Sequence, residues 1–167
     1  RRPDHRQAVR AGQGIGGLGW REIVIDSRRT GSVAELAVAR KLVEHGFTVS
    51  WPLNDDAYDL IAEKDGDSRR VQVKSATINK GGSYRCALHH CKSKQRGYDK
   101  SDCDLIILYA PFSKDFEDMI HDGYYIVPIE DIVKSKSLAA IIFPAGKGKG
   151  NIMVCKWEKY KDDWKRI

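Results

Sequence analysis

The stretch "YDLIAEKDGDSRRVQVKS", residues 58–75, decides how this chain folds. Two arms with apolar alternation flank Asp65-Gly66, the dipeptide that best tolerates the positive φ angles of a two-residue hairpin turn. With that turn, residue 64 faces 67 and, counting outward, Asp59 faces Gln72. Lys74 then stands two residues on, on the same face, while Val71 and Val73 point to the other face and can pack. A four-residue turn would instead set Asp59 opposite Lys74 on that face, and a three-residue turn would break the arrangement. A surface hairpin needs no carboxylate, amide and ammonium at these places; its plain reading is a wet polar face with a weak cross-strand ion pair.

The helix upstream alters that reading. "SVAELAVARKLVEH" (32–45) has the 3.6-residue apolar period, with Ser32 as the expected N-cap and Gly46 as the stop. On a helical wheel Glu35 falls among Val38, Ala39 and Leu42, in the middle of the apolar stripe, where an unpaired charge is expensive. Two accounts stand side by side. Glu35 is the N3 residue of a Ser32–Glu35 capping box, or it is a carboxylate aimed into a site. Together Glu35, Asp59, Gln72 and Lys74 offer two carboxylates, an amide oxygen and an ammonium. Hard oxygen ligands with few protein charges suit Mg²⁺, which keeps several waters and shares phosphate oxygens. A neighbouring lysine can orient a water and offset charge developing on phosphate. That is the chemistry of phosphodiester hydrolysis.

Glu35 in the first helix, then "YDL" (58–60), then "QVK" (72–74), resembles the PD-(D/E)xK nuclease superfamily. The run from "GSVAELAVARKLVEHGFTVSWPLNDDAYDLI" to "VQVKSAT" is most similar to its homing endonucleases encoded in cyanobacterial group I introns. The resemblance extends from about Thr30 to the end of the chain. It implies an α/β, restriction-endonuclease-like core, a central mixed β-sheet flanked by helices. It also implies Mg²⁺, with Mn²⁺ as substitute, held by Asp59, the Val73 carbonyl, Glu35 and Gln72, with Lys74 as the catalytic lysine. Tyr58 stands where the superfamily has proline, and Gln72 where it usually has a second carboxylate. Glutamine at that place is what the intron-encoded subgroup is expected to use. The alternatives are a junction resolvase or restriction-type nuclease with the same site, and a DNA-binding protein on a decayed nuclease fold.

The remaining sequence fits this frame. A chain of 167 residues with 41% hydrophobic and 31% charged residues is an ordinary globular mix, not a disordered one, and the net charge of +6 accommodates DNA. Four cysteines without framework spacing point to a reducing compartment. No run is apolar enough to span a membrane and no leader-like segment opens the chain, so a cytoplasmic protein, associated with the nucleoid when bound to DNA, is expected. Residues 1–29 read as a basic, glycine-rich arm with a short strand in "WREIVIDS", and 30–167 as the nuclease domain. Further strands are expected in "FTVSWPL", "SYRCALHH", "DLIILYA" and "GNIMVCKW". "GYYIVPIEDIVKS" reads as a strand running into a short helix, and "EKYKDDWKRI" as a terminal helix.

Basic clusters supply candidate DNA contacts: Ser83, Arg85 and His89 on a ribbon led by "GGSYR", then Lys92, Lys94 and Arg96, and Lys147 and Lys149 in "GKGKG". Alone, each reads as a solvated face. "CALHHCK" lacks a zinc spacing, because strand alternation sends Cys86 and His89 to opposite faces. No small-molecule cofactor is indicated. One such site cuts one strand, so a double-strand break calls for self-association, as dimer or tetramer, with "IIFP", "NIMVCKW" and "YKDDW" as contact surface.

Overall fold

The computed structural model describes residues 27–54, 57–78, 84–89, 96–111, 122–142 and 156–167. Helix α1 (Ser27–Glu44) is followed by β1 (Thr48–Ser50), β2 (Leu60–Lys64), β3 (Asp67–Ser75), β4 (Thr77–Ile78), β5 (Tyr84–Ala87), β6 (Leu105–Ala110) and β7 (Gly123–Pro128). Helix α2 (Ile129–Ser135) and β8 (Ala139–Ile142) complete the regular elements. A five-stranded sheet runs β1-β2-β3-β6-β7, antiparallel throughout except for the parallel β3–β6 pair. The expected mixed sheet flanked by helices is therefore present. No helix among the described residues is long and apolar enough to cross a membrane.

The hairpin takes the two-residue register: Lys64 pairs with Asp67 and Leu60 with Val71, around Asp65 (φ 54°) and Gly66 (φ 87°). Both turn residues have positive φ, the signature of the turn that Asp-Gly favours. Val71 and Val73 are buried against Ala34, Val38 and Leu42 of α1. Those helix positions recur every four residues, so one stripe of α1 lies on one face of the sheet. Truncating Leu42 to alanine would cost about 2–5 kcal/mol there.

Helix α1 stops where expected. Gly46 (φ 83°) is left-handed, its N–H donates to the Val43 carbonyl (2.9 Å), and the Phe47 N–H donates to the Leu42 carbonyl (3.0 Å). This is the Schellman closure, with Phe47 packed on the same cluster as Leu42. Its start is a correction. The helix already includes Ser27, runs through Gly31 and leaves Ser32 and Glu35 well inside, so Ser32 is no N-cap and Glu35 no capping residue. An internal glycine costs only about 1 kcal/mol, so Gly31 does not end the helix. The part of the expected arm and strand before Ser27 lies outside the described residues.

The opposite face of the sheet is covered by a second sheet, β4-β5-β8, which the sequence reading did not anticipate as a sheet. Tyr84, Cys86, Ala140 and Ile142 from it meet Ile106, Leu108, Tyr125 and Val127, with Ile129 and Ile132 of α2. The C-terminal segment also differs from expectation. Instead of one helix it forms two short 3₁₀ turns, Glu158–Tyr160 and Trp164–Arg166. The chain between them is pulled to the sheet edge: the Asp162 N–H (φ 51°) donates to the Tyr124 carbonyl and Lys161 bridges Tyr125. Trp157 and Tyr160 are buried, and Trp164 packs on the α1 cluster beside Ile167, so these three residues of the expected contact surface are engaged within the chain. The expected strand in "GNIMVCKW" lies outside the described residues up to residue 155, and Lys156 and Trp157 form a turn.

Candidate active site

Strand β2 is shorter than β3, and the site grows from that mismatch. Pairing ends at Leu60, and the Asp59 N–H still donates to the Val71 carbonyl (2.9 Å). Beyond it, the Val73 N–H and carbonyl have no strand partner on that side. The Asp59 side chain fills the gap: its Oδ2 accepts the Val73 N–H at 2.8 Å. Gln72, opposite Asp59 and 5% exposed, donates from Nε2 to that same Oδ2 and to the Val73 carbonyl oxygen (3.0 Å). A buried amide must be satisfied, and here one –NH₂ group holds two oxygens beside each other.

The carboxylates are electrostatically frustrated. Burial pushes the Asp59 carboxyl above its ordinary value, only partly offset by the Val73 N–H, the Lys74 ammonium and the Gln72 amide. Glu35, half-buried on the helix, is raised by burial and then by the charge of Asp59, with Lys74 pulling the other way. The helix and the hairpin thus bring Glu35, Asp59 and Lys74 within each other's fields, with Gln72 bonded to Asp59. Two desolvated carboxylates, one raised further by the other's charge, beside the Val73 carbonyl form a donor set that a hard divalent cation would relieve. Among the described residues no three or more His, Cys, Asp or Glu side chains gather in one place, and this site has two carboxylates.

Lys74 leaves β3 toward the second sheet. Its Nζ lies 5.0 Å from the centroid of the Tyr98 ring, and its carbonyl receives the Cys86 thiol (3.8 Å). Cys86 is buried, its thiol pushed up to about 12 by desolvation, which suits a core residue and not a zinc ligand. Tyr98, in a run of charged residues, is a buried neighbour of the lysine. Nothing in "GYDKSDCD" signals this, since one aromatic in a polar loop has no periodicity.

Of the expected DNA contacts, Arg85 projects outward from β5, between buried Tyr84 and Cys86. His89 is half-buried and bridges Gly97. Arg96 is exposed, but its Nη2 is bonded to Asp99 (2.8 Å) and to buried Asp102 (3.0 Å), so loop structure already engages it. Ser83, Lys92, Lys94, Lys147 and Lys149 lie outside the described residues.

The model of the PD-(D/E)XK endonuclease family matches residues 25–161. Protein 5.3 of Escherichia phage T7 is 36% identical over 81 residues, 46% of this chain and 67% of that protein. The solved structure of a bacterial homing endonuclease, I-Ssp6803I, superposes with a TM-score of 0.67 at 22% identity, over 84% of this chain and 92% of the other. At that identity the likeness is one of fold.

Proposed function

This chain belongs to the PD-(D/E)XK endonuclease family, and from that premise we propose that it is a site-specific, homing-type DNA endonuclease using a divalent metal. The observation that carries the proposal is that one amide, Gln72 Nε2, gathers the Asp59 carboxylate and the Val73 carbonyl, with Glu35 in the fields of Asp59 and Lys74. Asp59, the Val73 carbonyl and Glu35 would hold the ion, and Gln72, whose Nε2 donates to the first two, would offer its amide oxygen by flipping the amide. Mg²⁺ fits this donor set, and Mn²⁺ substitutes for it. When bound, the metal stabilises charge on the phosphate and lowers the pKa of an attacking water.

The chain's own groups do the rest. The two carboxylates keep the site negative enough to recruit a dication, and Gln72 contributes no charge, so more of the metal binding falls on Glu35. Lys74 places a positive charge where the phosphate oxygens gain negative charge, and it orients the water. The basic excess of +6, with Arg85 and the lysine clusters, supplies phosphate contacts. The homing-type reading rests on the motif order together with the likeness in fold to a homing endonuclease. Self-association, as dimer or tetramer, supplies the second site that a double-strand break requires. The protein would then act in the cytoplasm on nucleoid DNA.

Incubating the full chain with supercoiled plasmid in Mg²⁺, against an EDTA control, tests the reading. Metal-dependent nicking or linearisation is expected. A folded protein that binds DNA and leaves it intact in both Mg²⁺ and Mn²⁺ would overturn it. Light scattering of the free and DNA-bound protein tests assembly, and a monomer in both states would leave a nicking enzyme.

A further inference from the structure

Lys74 carries its charge on a flexible four-carbon stem, and a catalytic ammonium that roams its rotamers is in place only part of the time. An ion pair would restrain it but would also neutralise it and occupy its N–H donors. An aromatic face restrains a cation without taking any of its three hydrogen-bond donors. Among the described residues, the contact that Lys74 Nζ makes is of this second kind, with Tyr98.

The ring is the fixed partner. Tyr98 is 6% exposed and packs in the cluster that contains Cys86, Ile106 and Leu108. Its loop is tied on both sides. Gly97 bridges His89, and the Asp99 N–H donates to Asp102 Oδ2 (2.9 Å). Arg96 clamps both of those carboxylates, and Asp99 Oδ1 accepts the Ser101 N–H (2.8 Å) and hydroxyl (2.5 Å). A surface-like run of charges therefore works as a mount for one buried ring.

We propose that Tyr98 is a positioning residue for the nuclease reaction, holding the Lys74 ammonium over its ring face so that the N–H groups stay free for water and phosphate. This rests on the reading of Lys74 as the group that acts at the scissile phosphate.

The test reads position and rate separately. In protein with ¹³C-labelled lysine, the Lys74 ε-CH₂ resonance, identified by its loss in Lys74→Met, should be shifted upfield by the ring. The shift should persist in Tyr98→Phe and collapse in Tyr98→Leu. In single-turnover cleavage, Tyr98→Leu should slow the reaction by about two- to thirty-fold, the range of a cation–π contact, with DNA affinity unchanged. Tyr98→Phe should stay within about twofold of wild type, since it keeps the ring face. If Tyr98→Leu fails to fold, the wild-type and Tyr98→Phe resonances decide, and the absence of an upfield shift in both overturns the proposal. Loss of cleavage in Lys74→Met with a wild-type rate in Tyr98→Leu also overturns it, while leaving the function of Lys74 intact. A Lys74→Met protein that cleaves normally removes the reading of the lysine itself, and the positioning role with it.

Discussion

The two ends of β3 carry the same kinds of residue and use them in opposite ways. At one end Arg70 meets Asp104 with Nη2 at 2.9 Å and Nε at 3.3 Å, while the Arg70 backbone N–H reaches the same carboxylate at 2.7 Å. The rest of the guanidinium donates to the Ser101 and Lys100 carbonyls. Each partner's ionised form is favoured: the arginine holds the Asp104 carboxyl below its usual value, and Asp104 raises Arg70. At the other end Asp59 and Glu35 are pushed the wrong way by burial, and Glu35 also by the charge of Asp59. A fold that can complete a charge pair four residues from Lys74 leaves this one incomplete. Charge disfavoured by its own surroundings, inside a well-paired framework, is what the proposed metal site would draw on.

The largest expected effect breaks the frustrated end. Asp59→Ala and Lys74→Ala should each lower cleavage by about a thousandfold or more, while gel-shift affinity for DNA changes little, because phosphate contacts elsewhere supply the binding. Full activity in Asp59→Ala would sink the site assignment. Glu35→Gln should follow, with strongly reduced plasmid cleavage. Since the helix already includes Ser27, the residue has no cap to serve, and wild-type cleavage by this variant would remove Glu35 from the site.

Stability should split the two ends by sign, read as thermal midpoints at neutral pH in EDTA. Asp104 has a depressed pKa, so its contribution is present above the ordinary carboxylate value and lost as pH falls through the lowered one. Asp104→Asn should therefore melt lower, by about 1 kcal/mol or less for a half-exposed pair, and the difference should fade in acid. Asp59 has a raised pKa, so the native state holds its proton longer than the unfolded chain does. Its ionisation destabilises the fold as pH rises through that raised value. Asp59→Asn should melt higher than wild type without metal. A lower midpoint in both variants would show that the Asp59 hydrogen bonds to Val73 and Gln72 outweigh its burial.

The smallest change is Gln72→Glu, which adds a third carboxylate. An active enzyme saturating at lower Mg²⁺ is expected from the stronger divalent binding. A folded, inactive variant would instead show that the two hydrogen bonds from Gln72 Nε2 are required in their own right.

Much of the site was legible because its causes are local. Asp-Gly sets the hairpin register, register sets which side chains share a face, and so Asp59, Gln72 and Lys74 could be grouped before any coordinates. Gly46 was legible for the same reason, since one left-handed residue ends a helix whatever surrounds it. The helix start was not: "SVAE" has the letters of a capping box, yet Ser27 is already helical, five residues further back. Arg96 looked like a free phosphate contact, because only the fold shows that Asp99 and Asp102 converge on it.

By itself, the sequence determined the hairpin, its register, the apolar stripe of α1 and the residue types of the site, all written in periods and turns of a few residues. The tertiary structure decided the partners. It set the end of β2 that opens the Val73 carbonyl, laid the second sheet over the other face, drew the C-terminal turns to β7, and buried the Tyr98 ring beside Lys74. The reason is one of range. Backbone propensity and alternation act between neighbours along the chain, whereas desolvation and charge pairing depend on which distant segments pack together.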